Sequence, residues 1–531
     1  MNKNTLKCLL TSAVIAASFT SCTAEDGNIS YSNSTANSYY YAEESCVSES
    51  APDKGTSSDW DSMYDNNEEY SQIIENAFES VITNPLSTFS ADVDTASYAN
   101  IRRMINDYGY VSDKNAVRIE EMINYFDYNY DPPTDKPFSV TTEISECPWN
   151  TANKLLSIGV KGKEIETERI PSNIVFLLDV SGSMYSEDKL PLMVEAFSML
   201  AESFTENDRV SIVTYAGEDA VLLTGTPGNE YGEISAVLNS LQASGSTNGA
   251  SGIITAYELA EKYFIEGGNN RVILATDGDL NVGVSSVDGL EKLISEKRET
   301  GVYLSVLGFG TGNIKDNKME ILADKGNGNY AYIDSISEAR KTLVEEVGGT
   351  LFTIAKDVKF QVEFNPAYVS EYRLVGYENR LMNDQDFYDD KKDAGEIGAG
   401  HTVTALYEIT PVGSGIPLKY QPEETEQITE TEFTDEWLTV SVSYKEPDSD
   451  ESNILKFPVG KDKITDSPSE NMQFASCVAE FGMLLRESEY SGDITYHDVL
   501  TTLNTLECVY KDKYKHEFME LVEKTSMYIN Y

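Results

Sequence analysis

Ile174-Val175-Phe176-Leu177-Leu178 is an unbroken apolar run that stops on an acid, Asp179, and a Ser-Gly-Ser turn. A run that is apolar on both faces suits a strand covered on both sides, as in the middle of a parallel sheet flanked by helices. The residues that follow keep the matching rhythm. Helices are predicted over Pro191–Phe204, Ser251–Phe264, Val287–Thr300, Lys318–Lys325 and Glu338–Gly348. Strands are predicted over Arg209–Tyr215, Ala220–Leu223, Arg271–Thr276, Val302–Leu307 and Tyr330–Ile333. Such alternation predicts an α/β, doubly wound, Rossmann-like domain over residues 171–350 of a multidomain chain.

The flanks read differently. Ser90–Tyr108 and Val117–Phe126 carry helical stripes, and Phe138–Ser145 and Lys154–Val160 read as strands, so residues 85–170 form an N-terminal region. After Thr350 come strand candidates at Val358–Phe364, Tyr372–Val375, Val403–Ile409 and Leu438–Tyr444. Helical patterns at Asn471–Arg486, Tyr496–Leu506 and Phe518–Tyr528 complete a C-terminal region over 351–531, β-rich and then helical. Because domain ends often lie close together, one domain can be inserted into another. The two strand sets are therefore expected to form one β-sandwich that carries the α/β domain as an insert.

Residues 1–21 read as an export signal: Lys3 and Lys7 precede the apolar stretch Leu9–Phe19. The stretch ends Phe19-Thr20-Ser21-Cys22, which resembles a bacterial lipobox, although an aliphatic residue is usual where Phe19 stands. That resemblance implies lipidation of Cys22 and a membrane location through the lipid anchor, on the extracytoplasmic face; an ordinary cleaved signal is the alternative. Residues 22–84 follow as an acidic, disordered tether, since Thr23–Asn84 carries 13 acids against one lysine and no sustained apolar period. The whole chain has 40 Lys and Arg against 89 Asp and Glu, a net charge of −49, which excludes nucleic acid as a partner. With 3 His, a histidine-based zinc site is disfavoured. Cys46, Cys147, Cys477 and Cys508 are too irregularly spaced for a disulfide framework; one bridge or free buried thiols are both compatible with them.

Three loops carry the chemistry: Asp179-Val180-Ser181-Gly182-Ser183, Gly245-Ser246-Thr247-Asn248-Gly249 and Ala275-Thr276-Asp277-Gly278. In an open α/β sheet, ligands bind beyond the carboxyl ends of the strands. There Asp179, Ser181, Ser183, Thr247 and Asp277 would all offer hard oxygens, the donors that Mg²⁺ selects. These residues match the metal-ion-dependent adhesion site of the von Willebrand factor type A domain. The resemblance implies that Asp179, Ser181 and Ser183 form the first loop of the site. It implies direct ligation by Thr247 when a ligand is engaged, and ligation by Asp277 directly or through water. It implies Mg²⁺, with Mn²⁺ or Ca²⁺ as alternatives, and a protein partner whose Asp or Glu carboxylate completes the coordination. Helix capping by Asp179 and Ser183, with a simple turn at Asp277-Gly278, is the plainer reading.

Further motifs extend the match. Pro85–Tyr98, Val117–Phe126, Cys147-Pro148-Trp149-Asn150, Tyr377-Glu378-Asn379-Arg380 and Asp393–His401 resemble YfbK-type bacterial von Willebrand-A lipoproteins. The function expected is metal-dependent capture of a protein at the cell surface, without catalysis. A metal-assisted envelope hydrolase, and a structural envelope protein with a vestigial site, are the alternatives. Among other features, Asp384, Asp386, Asp389, Asp390 and Asp393 read as a solvated acidic loop or a calcium site, but Gly395 stands where an EF-hand needs its bidentate acid. His401 reads as a hydrogen-bonding residue at a strand edge, and Gly308–Gly312 as a weak Gly-rich loop. Asp92, Asp94, Arg102 and Arg103 read as a structural charge network.

Overall fold

The structure is a computed structural model that describes residues 67–529, apart from 92–93, 165–169, 247–248, 279–286, 347–352, 393, 415–434, 448 and 450. The export signal, Cys22, Cys46, Asp92, Thr247, Asp393 and the tether as far as residue 66 lie outside the described residues. No helix among the described residues is long and apolar enough to cross a membrane.

The N-terminal region holds strands β1 (Glu79–Ser80) and β2 (Leu86–Ser90), helices α1 (Ala96–Tyr108) and α2 (Ile119–Asn124), and strands β3 (Phe138–Glu146) and β4 (Lys154–Gly162). Helix α1 begins later than the sequence stripe suggests, because Leu86–Ser90 pairs with a neighbouring strand instead.

The central domain contains β5 (Ser172–Asp179), α3 (Leu190–Ala201), β6 (Arg209–Tyr215), β7 (Asp219–Pro227), α4 (Tyr231–Leu238), α5 (Gly249–Lys262), β8 (Asn269–Thr276), α6 (Val287–Arg298), β9 (Tyr303–Phe309), α7 (Asp316–Lys325), β10 (Tyr330–Ile333) and α8 (Ile336–Arg340). Its sheet runs β10-β9-β8-β5-β6-β7, parallel except for the antiparallel β6–β7 pair. The apolar run of β5 does what its pattern predicts. Val175 and Leu177 meet Ile253 and Tyr257 of α5 on one face, whereas Ile174, Phe176 and Leu178 meet Met193 and Phe197 of α3 on the other. Each such side chain, fully buried, contributes about 1.5–3 kcal/mol. The helix expected over 338–348 takes the form of α8 followed by a π-helical turn at Lys341–Glu345.

The C-terminal region begins with β11 (Thr353–Phe364), β12 (Val369–Val375), β13 (Gly395–Gly398), β14 (Thr402–Pro411), β15 (Glu436–Lys445) and β16 (Ser452–Gly460). Helices α9 (Glu470–Arg486), α10 (Tyr496–Leu503), α11 (Glu507–Lys511) and α12 (Lys513–Ile529) follow. Strands from both flanks share one sheet, β1-β12-β14-β4-β3, in which β4 pairs with β14 from Lys154↔Ile409 to Lys161↔Thr402. The facing sheet runs β13-β11-β15-β16, with β2 also on β11. Leu156, Ile158 and Val160 of β4, Phe360 and Val362 of β11 and Tyr407 of β14 belong to one core between the sheets. The flanking strands thus form a β-sandwich, and the α/β domain is inserted between β4 and β11. The outer face of the first sheet offers Leu155, Val375 and Leu406 to a helical layer built from α1, α2 and α9–α12. Phe126, Phe474 and Phe518 meet edge to face at 5.0–5.7 Å inside it.

Buried ion pairs fix the insert to its carrier. Arg102 of α1 holds Asp334 at 2.5 Å and Glu338 at 2.7 Å, at the start of the last helix of the domain. Arg118 pairs with Asp316 at 3.2 Å and with Glu320 on α7. Arg380 joins Asp94 at 3.0 Å and Glu320 at 2.9 Å. The charge network read from Asp94, Arg102 and Arg103 is therefore real but differently wired: each reaches a distant partner, with Arg103 on Glu68.

That last contact corrects the tether boundary. Residues 67–84 are packed rather than free: β1 pairs with β12, Val81 joins the sandwich core, and the Asn76 amide donates to the carbonyls of Leu374 and Gly376. A segment without periodicity is held here by specific hydrogen bonds and an edge pairing. Strand β16 was likewise absent from the pattern, because most of its residues are exposed and its edge position asks for little apolar character. Cys147, Cys477 and Cys508 are free thiols.

Candidate functional site

The site lies at the carboxyl ends of β5 and β8, which are adjacent and parallel. Asp179 ends β5, and Asp277 follows directly after β8. Both carboxylates are buried, at 0% and 1% exposure. Asp179 accepts from the Ser181 amide at 2.9 Å and from the Thr276 hydroxyl at 3.3 Å. The Ser181 and Ser183 hydroxyls lie 3.0 Å apart, with Ser183 exposed. Two backbone bonds draw the second loop in: Gly182 N–H donates to Gly245 at 3.1 Å, and Ser244 N–H donates to Val180 at 2.8 Å. Gly278 has φ +96, and a Cβ there would meet the Lys315 amide nitrogen at 2.7 Å, so glycine alone suits this close turn. Four of the five residues predicted as ligands are thus placed at one sheet edge, and Thr247 lies outside the described residues.

Burial pushes the Asp179 carboxyl up to about 6, and the nearby charge of Asp277 acts in the same direction. Two buried acids at one point need a positive charge. The chain supplies one that the sequence reading missed. Lys189, at the entrance to α3, donates to Asp277 at 2.9 Å, with its side chain only 9% exposed. Gly310 makes room for it: a Cβ there would sit 2.3 Å from the lysine Cγ and Cε. The Gly-rich loop at 308–312 therefore seats a lysine. A basic residue just ahead of a Leu-Pro helix start was the available signal, and it reads equally well as a surface charge.

The donors fit a hard divalent cation, since all are oxygens and Asp277 already accepts a buried ammonium. Asp179, Asp277, Ser181 and Ser183 are the residues in place to hold it. No cluster of three His, Cys, Asp or Glu suited to a metal occurs among the described residues. The acidic loop after β12 is bound otherwise. Lys359 donates to the carbonyls of Asp386 and Asp389, Lys445 donates to that of Asp390, and the Asp384 carboxylate accepts from Thr88. His401 acts through its backbone in the turn before β14, donating to Gly398 and accepting from Gly162.

Comparison with known proteins agrees with this architecture. The von Willebrand factor type A domain model matches residues 173–346, a "von Willebrand factor" model residues 64–157, and the model of the C-terminal part of YfbK residues 349–527. The uncharacterized protein YfbK of Escherichia coli is 41% identical over 466 residues, covering 86% of this chain and 80% of that protein. The chain belongs to the YfbK family of von Willebrand factor type A proteins. Human inter-alpha-trypsin inhibitor heavy chain H3 is 29% identical over 196 residues, which is 35% of this chain and 22% of that protein. A von Willebrand factor type A structure from Catenulispora acidiphila covers 67% of this chain and 82% of its own at 13% identity, with a TM-score of 0.40.

Proposed function

We propose that this YfbK-family chain is a lipid-anchored protein of the extracytoplasmic membrane face that captures a protein partner through a bound divalent cation. The von Willebrand factor type A domain is a protein-interaction module. The cation proposed is Mg²⁺, with Mn²⁺ or Ca²⁺ as alternatives, held by Asp179, Ser181, Ser183, Thr247 and Asp277. The observation that carries this reading is the pair of buried carboxylates on adjacent strand ends, beside two hydroxyls and below an exposed turn. Such a cluster binds a cation and leaves its outer side for a ligand carboxylate. Tyr185 is 84% exposed at the end of the same turn, which supports a role for its ring at the partner surface. Anchoring rests on the lipobox-like Cys22, and the acidic stretch up to residue 66 serves as the spacer. We propose binding and not catalysis, because the site brings no histidine to its oxygen cluster.

The test is capture from envelope extracts by the mature chain in Mg²⁺ and in EDTA, with an Asp179→Asn bait alongside. A partner retained only in Mg²⁺ and only by the unsubstituted bait supports the reading. Retention indifferent to both metal and variant overturns it. The structure favours Asp179→Asn over Asp277→Ala, because the latter would strand Lys189 as a buried, unpaired charge.

A further inference from the structure

A second acidic site lies outside the inserted domain. A cleft of about 910 Å³ opens between the sandwich and the helical layer. Its walls are the turn at Trp149, Glu408 of β14, Glu480 of α9, the loop with Glu489 and Asp493, and Asp498 of α10. Among the described residues, five carboxylates line it and no Lys or Arg does. Three of them differ sharply in how they are satisfied. Glu408 is fully engaged: it accepts from Trp149 Nε1 at 2.8 Å, Asn150 at 3.0 Å and Asn153 at 2.7 Å, and pairs with Arg373 at 3.0 Å. Asp498 caps α10 through Thr495. Glu480 has neither a hydrogen bond nor an ion pair among the described residues, although it is only 5% exposed and lines the cleft.

A buried carboxyl without a partner is costly unless something outside the chain completes it. The volume is that of a cleft for a many-atom ligand and exceeds what a bare metal ion fills. Arg373, whose guanidinium lies 4.2 Å from the ring centre of the cleft-lining Tyr490, neutralises Glu408 and leaves the Glu480 side acidic. We propose that this cleft binds a primary ammonium group, which Glu480 receives with Asp498, Glu489 and Asp493 around it. The ammonium comes either from a free diamine or from a lysine side chain of a basic peptide.

Burial and the neighbouring Asp498 push the Glu480 carboxyl up to about 8. Glu408 with its Arg373 partner, and exposed Glu489 and Asp493, are the other charged groups facing the cleft. An ammonium seated on Glu480 favours the carboxylate, so binding near pH 7 releases a proton.

The experiment is calorimetric titration of the full chain with cadaverine, with acetyl-trilysine amide and with Ca²⁺. Runs in two buffers of different ionisation enthalpy count the protons released. Glu480→Gln is close to isosteric and removes a buried acid, so it is expected to fold; Asp179→Asn leaves this cleft intact and serves as the control. The proposal expects saturable binding of one or both ammonium probes, proton release, and at least a tenfold weaker affinity in Glu480→Gln but unchanged affinity in Asp179→Asn. Preference between the two probes names the source. Equal binding by Glu480→Gln, or Ca²⁺ binding that survives Asp179→Asn but is lost in Glu480→Gln while neither ammonium binds, overturns it.

Discussion

Replacing Lys189 by Met should make the adhesion site a stronger metal binder while weakening the metal-free fold. Lys189 and Asp277 are 2.9 Å apart, with side chains 9% and 0% exposed. Removing one partner of a buried ion pair typically costs about 3–5 kcal/mol, because the other charge is left uncompensated. A divalent cation on Asp277 restores that compensation, so the cost is largely recovered on binding. If water entry relieves about half of it beforehand, roughly 2 kcal/mol remains, and Mg²⁺ should bind about 30-fold more tightly. The assay is calorimetric Mg²⁺ titration of the stripped chain, with melting curves in EDTA and in excess Mg²⁺. The variant should melt lower than the wild type in EDTA and gain more from Mg²⁺. Unchanged or weaker Mg²⁺ affinity, with the same metal-induced gain in Tm, would show that Lys189 does not compete for Asp277.

Three further outcomes follow from other contacts. Gly310→Ala should displace Lys189 from its slot and lower the Tm in EDTA by more than in Mg²⁺, since its Cβ would sit 2.3 Å from the lysine chain and φ is +76. Arg118→Leu leaves Glu121, Asp316 and Glu320 without their shared cation and should cost about 3–5 kcal/mol, read as a lower denaturation midpoint. Glu480 is raised from 4.5 to about 8, so the folded chain holds a proton that the unfolded chain has lost. Its contribution is fully present below pH 4.5 and fades as pH rises towards 8. Glu480→Gln should therefore match the wild type near pH 4 and exceed it at pH 8–9, by at most about 5 kcal/mol. Denaturant melts across that range check it.

The central domain was legible because its inner strands are buried on both faces, and β5, β8 and β9 announce themselves as apolar runs. The sandwich was legible by a different route. Strands on either side of an insert must close on each other, and the pairing of β4 with β14 obeys that constraint. Residues 67–84 escaped because their order comes from partners distant in sequence, such as β12 for β1 and Arg103 for Glu68; β16 escaped because an exposed edge strand beside β15 carries little apolar pattern. At the site, Asp179, Ser181, Ser183 and Asp277 were readable from spacing, since each sits at or just beyond a strand end. Lys189 and Gly310 were not, because their pairing depends on how the start of α3 meets the loop after β9. Glu480 was hidden for a similar reason: an acid within an apolar helix shows its missing partner only when the cleft around it is formed.

The most direct test of the account is Mg²⁺ titration of the EDTA-stripped chain by calorimetry, beside the Asp179→Asn and Ser183→Ala variants. The account predicts one saturable site in the wild type, a rise in Tm with Mg²⁺, and loss of both in Asp179→Asn with a weaker site in Ser183→Ala. A wild-type chain that takes up no Mg²⁺, Mn²⁺ or Ca²⁺, or an Asp179→Asn variant that binds as the wild type does, would contradict it.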